Sequence, residues 1–229
     1  VLVSGPTNDA TSIVSQTNFT ATEEEATTLN FELTDPDGLT ATAIVHLTSE
    51  HGTVSYTSGI PGLEGAYAPG NWSSSTTGGA SVAIDETVVL TGGTGEFLSQ
   101  TEVQLTADGW FAFSTEFTEA ESTPGLVTST IDINGDAVTI TSTNGVDMVY
   151  GHAGDVLRFT LSGSAGSGAG SSLTVRDFTP PSSSGNFSVS FLPMLDFYGQ
   201  ASIGFCVRDL HNFELDATLT VDVANVQDP

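Results

Sequence analysis

Ala217-Thr218-Leu219-Thr220-Val221-Asp222-Val223 alternates apolar and polar side chains without a break. A period of two sends successive side chains to opposite faces, so this segment reads as a β-strand with one wet face. The same pattern recurs in Thr28-Leu29-Asn30-Phe31-Glu32-Leu33, in Ala41-Thr42-Ala43-Ile44-Val45-His46-Leu47 and in Phe187-Ser188-Val189-Ser190-Phe191. Turn chemistry such as Asp35-Pro36-Asp37-Gly38 separates the runs. Helix formers are scarce while Thr, Ser, Val and Gly abound, which predicts an all-β fold.

The middle of the chain is β in its own right. Runs at 82–90, 103–105, 110–117, 127–133, 137–141, 156–161 and 173–175 all read as strands. Asp108-Gly109 and Asn134-Gly135 stand between alternating runs, the preferred chemistry of two-residue hairpin turns. A Gly/Ser/Ala tract at 162–172 reads as a long flexible loop. Stiff or polar punctuation brackets this region, Ile60-Pro61-Gly62 before it and Thr179-Pro180-Pro181-Ser182-Ser183-Ser184-Gly185 after it.

Charge narrows the partners. Asp and Glu number 28 against three basic residues (Arg158, Arg176 and Arg208), for a formal net charge of −25. Nucleic acid and anionic membranes should repel such a chain. Folding also crowds the carboxylates to within a Debye length of roughly 8–10 Å, a strain that bound divalent cations would relieve. A halophilic or merely very soluble surface is the plainer account of the same composition. Cys206 lies in the apolar run Ile203-Gly204-Phe205-Cys206-Val207, and a lone thiol forms no internal disulfide. Outside the cell, calcium is the usual substitute staple. No long apolar run is present, so membrane insertion is not expected, and the chain reads as an excised internal piece, monomeric as a fragment.

Both ends of the chain resemble the tandem cadherin-like and immunoglobulin-like repeats of bacterial surface proteins. The features that carry the resemblance are Asn8-Asp9-Ala10, Glu23-Glu24-Glu25, Asp35–Gly38 and Gly52-Thr53-Val54. They continue at Asp196-Phe197-Tyr198-Gly199, Val207-Arg208-Asp209, Thr218–Val223 and Asn225-Val226-Gln227-Asp228-Pro229. The match stops at the middle, which implies an Ig/cadherin-like β-sandwich (1–59 plus 185–229) split by an inserted, second antiparallel β-sandwich of jelly-roll kind (60–184). Insertion at a loop tip costs little, because closure entropy grows only logarithmically with length. The resemblance further implies calcium held by Asp35 and Asp37 with Glu24 and Asp209, and junction ions at Asn8 and Asp9. Two alternatives stand beside this: Asp-Pro-Asp-Gly is also an ordinary type I turn, and Asp209-Leu210-His211-Asn212 replaces the usual Asp-Gly-Asn-Gly loop.

Three further groups could carry chemistry. Asp132, Asn134 and Asp136 have calcium-loop spacing, although the same residues suit a hairpin with Asn-Gly at its tip. The stretch from Asn144 to Asp155 gathers Asn144, Gly145, Asp147, Tyr150, Gly151, His152 and Asp155 between two strands, and reads as a recognition loop with metal-ligating acids. Trp110 is out of phase with Phe111 and Phe113, and Trp72 lies in a loop-rich stretch, so either could offer a ligand a face or simply pack. Histidines 46, 51, 152 and 211 are scattered outside any nucleophile or zinc motif, and no enzyme is indicated. A sandwich inserted into such a repeat resembles the ligand-binding modules of large repeats-in-toxin-type adhesins. The implied function is calcium-dependent capture of short peptide ends, through their C-terminal carboxylate, on another cell. Calcium-assisted sugar binding or a purely structural stalk are the other readings, with neighbouring tandem domains as further partners and the bacterial cell surface as location.

Overall fold

The computed structural model of the protein describes residues 12–15, 19–34, 43–56, 62–120, 127–140, 145–164, 169–182, 186–209 and 214–226. The first strands are β1 (Ser12–Ser15), β2 (Phe19–Thr22), β3 (Thr27–Thr34), β4 (Ala43–Ser49) and β5 (Gly52–Tyr56). Next come β6 (Ser73–Thr77), β7 (Ser81–Ile84), β8 (Val88–Thr91), β9 (Phe97–Gln104) and β10 (Gly109–Thr118). They are followed by β11 (Val127–Ile133), β12 (Asp136–Ile140), β13 (Gly145–Gly151), β14 (Val156–Gly163) and β15 (Ser172–Ser182). Last are β16 (Asn186–Pro193), β17 (Gly199–Asp209) and β18 (Glu214–Ala224). Among the described residues there is no α-helix, and so none long and apolar enough to cross a membrane. The all-β expectation is met.

Three sheets organise these strands. A four-stranded sheet runs β1-β3-β16-β5 and a five-stranded sheet β12-β11-β14-β9-β6. Between them lies a nine-stranded sheet, β2-β18-β17-β4-β13-β10-β15-β8-β7. Its strands β13, β10, β15, β8 and β7 come from the middle of the chain, and β4, β17, β18 and β2 from the two ends. Antiparallel pairing of β13 with β4, Val146 opposite Leu47 and Met148 opposite Val45, makes the sheet continuous across both sets.

Two apolar cores result. One gathers Phe111, Phe113, Ile131, Ile133, Phe159 and Phe178 with their neighbours. The other gathers Leu29, Phe31, Leu47, Val189, Phe191, Ile203 and Val221, and also takes Trp110, Ala112, Val146 and Met148 from β10 and β13. Alternation on these two strands therefore feeds one core from each face. Trp110 does point away from Phe111 and Phe113, but the face it occupies is covered. Only 2% of its surface is exposed, and its ring meets Tyr150 edge-on at 5.3 Å. Trp72 is 8% exposed, donates Nε1–H to the Tyr67 carbonyl at 2.9 Å, and packs against Phe159 and Phe178. Both tryptophans are packing residues, not ligand platforms.

Other local expectations divide. Asn134-Gly135 is the tip of the β11–β12 hairpin, with Ile133 opposite Asp136 and positive φ at both tip residues (54° and 101°). Asp108-Gly109 is not a hairpin turn, because β9 pairs with β14 and β6 while β10 joins the nine-stranded sheet. The run at 82–90 breaks at Asp85-Glu86-Thr87 into the hairpin strands β7 and β8. Trp110→Ala should lower unfolding free energy by about 3–5 kcal/mol, the cost of emptying a large buried aromatic site. Denaturant unfolding of the variant checks this, and a change near zero would mean that this face of β10 is uncovered.

Candidate functional site

The stretch expected to be a recognition loop is β13, an interior strand buried from Gly145 to Val149. Gly145 is glycine because the His46 ring lies against it; an added Cβ would stand 2.6 Å from His46 Cε1. At Gly151 the obstacle is Leu105, with Cδ1 2.3 Å from an added Cβ. Two of the loop-like glycines thus reflect close packing. The third, Gly154, sits at φ +101° in the turn before β14, where the left-handed backbone favours glycine.

Asp147 is fully buried, with one carboxylate oxygen 2.6 Å from His46 Nδ1. Its other oxygen accepts the Thr115 hydroxyl. Three adjacent strands, β4, β13 and β10, thereby converge on one carboxylate, on the face of the sheet that carries Val149 and Phe113. Burial pushes the His46 pKa down, but the charge of Asp147 and its hydrogen bond outweigh that and raise it above the usual value. A carboxylate so engaged and so enclosed is not a metal ligand.

Asp155 and Asp132, two of the other acids expected to hold metal, have structural partners. Asp155 accepts the His152 N–H at 2.8 Å and the Asn134 side-chain amide at 2.7 Å. Asn134 accepts the Val156 N–H at 3.0 Å, which ties the β11–β12 turn to the start of β14. Asp132 accepts the Gly135 N–H at 3.2 Å and faces Arg158 Nη1 at 3.4 Å. Asp136 stands at the hairpin exit, opposite Ile133. Tyr150 and His152 are part-exposed and meet edge-on at 5.4 Å. Burial, and then the negative charge of Asp108, raise the Tyr150 pKa. Among the described residues no three His, Cys, Asp or Glu side chains group as a metal site. Asp132, Asn134, Asp136, Asp147 and Asp155 do not fit a calcium cage.

At the ends of the chain the placement is partial. Asn8, Asp9, Asp35, Asp37 and Asn144 lie outside the described residues, and Asp209 is described only as the last residue of β17. Glu24 is exposed in the β2–β3 turn at φ 60°. Its neighbour Glu23 is the buried member of the acidic triplet and accepts the Val226 N–H at 3.0 Å.

Sequence reasoning passed over one concave feature. A cleft of about 550 Å³ is bounded by Glu64, Pro69, Asp85, Glu86, Arg176 and Asp177, with Leu63 and Thr87 also lining it. A β-bulge forms one wall. Ala112 pairs with Thr179 and Ser114 with Arg176, so Asp177 and Phe178 stand together opposite Phe113. The extra residue, with Asp177 at φ 57°, sends Phe178 into the core and leaves Asp177 facing the cleft. The Phe178 carbonyl accepts the Gly62 N–H at 3.2 Å, fixing the opposite wall. Arg176 Nη2 donates to Glu116 at 2.9 Å across the partly exposed sheet face. The signal available in the sequence was the polar triplet Asp85-Glu86-Thr87 interrupting an apolar run. Chemically, the cleft offers four carboxylate acceptors around one guanidinium. Neither a protein-family model nor a curated protein matches this chain.

Raising His46 above its unfolded value stabilises the fold fully below about pH 6.5, and that contribution is lost as pH rises through the raised value. Melting temperature should therefore fall from neutral into alkaline pH, with the dependence much reduced in His46→Gln. Asp147→Ala should cost about 3–5 kcal/mol, since it strands a buried cation. Calorimetric calcium titration of that variant, compared at a temperature where it is folded, should be unchanged; lost binding would return Asp147 to the metal ligands.

Proposed function

We propose that this chain is a non-catalytic ligand-binding segment of a bacterial surface adhesin, and that it captures short peptide ends in the cleft between residues 62–69, the β7–β8 turn and the β15 bulge. In this reading an Ig/cadherin-like sandwich (1–59 and 185–229) presents an inserted sandwich (60–184), and the protein works outside the cell. The observation that carries it is the lining of the cleft, one guanidinium among four carboxylates. A guanidinium has five donors in a planar fork that matches a carboxylate, so Arg176 can take a peptide's C-terminus while keeping Glu116. The surrounding Glu64, Asp85, Glu86 and Asp177 supply acceptors for the peptide's own N–H groups, and their repulsion of its carboxylate is offset when a divalent cation binds among them. The histidine, carboxylate and hydroxyl of His46, Asp147 and Thr115 meet where they are sealed inside the sheet.

Calcium enters as a stiffening counter-ion for a chain of net charge −25, through the repeat-end residues Asn8, Asp9, Asp35 and Asp37. Of the three aromatic faces behind the sugar reading, Trp110 and Trp72 are buried and Tyr150 alone is part-exposed. Isothermal titration with short peptides carrying free or amidated C-termini, in calcium and in chelator, tests the proposal. Free-carboxylate peptides should bind about tenfold or more tighter than amidated ones, the worth of a charge-assisted bidentate contact. Arg176→Gln should erase that difference, and chelation should weaken binding together with thermal stability. Equal affinity under all four conditions would leave only the structural stalk.

A further inference from the structure

One end of the sandwich built from the chain termini is unlike the rest of the surface. The five large apolar side chains that stand exposed among the described residues are Leu192, Met194, Leu195, Tyr198 and Val226. Met194, Leu195 and Tyr198 share the β16–β17 turn, and Leu192 lies one residue before Pro193, where that turn leaves β16. Pro193 at the end of β16 pairs with Gly52 at the start of β5, and Gly199 at the start of β17 pairs with Val223 near the end of β18. The β16–β17 turn therefore sits beside the strand end that leads to Val226. Leu195, Tyr198 and Met194 are 74%, 63% and 56% exposed. The turn is held in shape: the Met194 N–H donates to the His51 carbonyl at 3.0 Å and the Phe197 N–H to the Met194 carbonyl at 3.1 Å. Phe197 also stacks on the His51 ring, 4.5 Å between centroids and 22° between planes. Val226 is fixed in turn by its bond to Glu23. Large apolar side chains concentrated at one place on a fastened turn mark an interaction surface, whereas scattered ones mark nothing.

Charge selects the occupant. Exposed carboxylates stand at the same strand ends: Glu24 and Glu25 in the β2–β3 turn, Glu50 after β4, Asp196 in the apolar turn itself and Asp222 near the end of β18. A second copy of the chain would bring an identical set of carboxylates against these. It has only three arginines to offset that, of which Arg158 is bonded to Glu102 and Arg176 to Glu116. Anionic membrane is disfavoured for the same reason. We infer that this end docks a partner protein surface with an apolar centre and a rim of lysine or arginine. Its apolar contacts hold the complex, and its cationic rim meets these carboxylates and speeds encounter. The surface is separate from the peptide cleft, which lies on strands from the middle of the chain.

Fluorescence anisotropy at physiological salt with three synthetic octapeptides tests this: alternating Val/Lys, alternating Ser/Lys of the same charge, and alternating Val/Glu. The first mimics an apolar, basic-rimmed strand, and it should bind the 229-residue chain at least about tenfold tighter than the second. The triple substitution Met194→Ser, Leu195→Ser and Tyr198→Ser should abolish that advantage. These are exposed turn positions, and an unchanged melting temperature confirms that the variant folds. Three results overturn the inference. Val/Lys binding insensitive to the triple substitution reduces it to bulk charge. Val/Glu binding as tight in millimolar calcium assigns the surface to an acidic partner bridged by metal. A dimer in sedimentation that the triple substitution dissociates assigns it to a second copy.

Discussion

Strands β10 and β13 are buried on both faces from Gly109 to Thr115 and from Gly145 to Val149. Phe111, Phe113 and Val149 fill one core from one side of the sheet, while Trp110, Ala112, Val146 and Met148 fill the other core from the opposite side. This double burial joins the two cores through one sheet. Backbone groups in such a place must be paired within the sheet, and pairing of β13 with β4 on one side and β10 on the other does so. The same constraint explains why glycine at 145 and 151 is a packing requirement rather than a sign of mobility.

Burying a carboxylate in that sheet has a consequence for how the molecule holds together. Asp147 is compensated by His46 from β4 and by the Thr115 hydroxyl from β10, so one charged group needs three strands in register to be tolerated. Removing any partner leaves a polar group far from water. The polar contact thus specifies register where the apolar cores alone would accept slippage, because a one-residue slip would separate all three.

The surface tells a different story from the interior. Inside, acids are matched one by one with Arg158, His46, backbone amides and turn residues. Outside, carboxylates collect in two places of unlike chemistry. At the bulge of β15 they surround a guanidinium in a cleft, and at the far end of the other sandwich they stand at the strand ends that carry an apolar turn.

By itself the sequence determined the class of structure: alternation marked most of the strands, Asn134-Gly135 marked a hairpin, and the residue count gave the net charge. These are local or additive properties, so they survive without knowledge of the fold. Tertiary structure decided which faces are covered. Trp110 shows the limit, because its phase was readable but the second core beneath it was not. The stretch from Gly145 to Gly151 shows the same limit, since glycines and an acid look like a loop unless a long-range strand pair and a distant histidine are known. The cleft was illegible for a related reason. It arises where a bulge in one strand, a turn between two others and a segment before residue 70 meet, and no local pattern encodes that encounter.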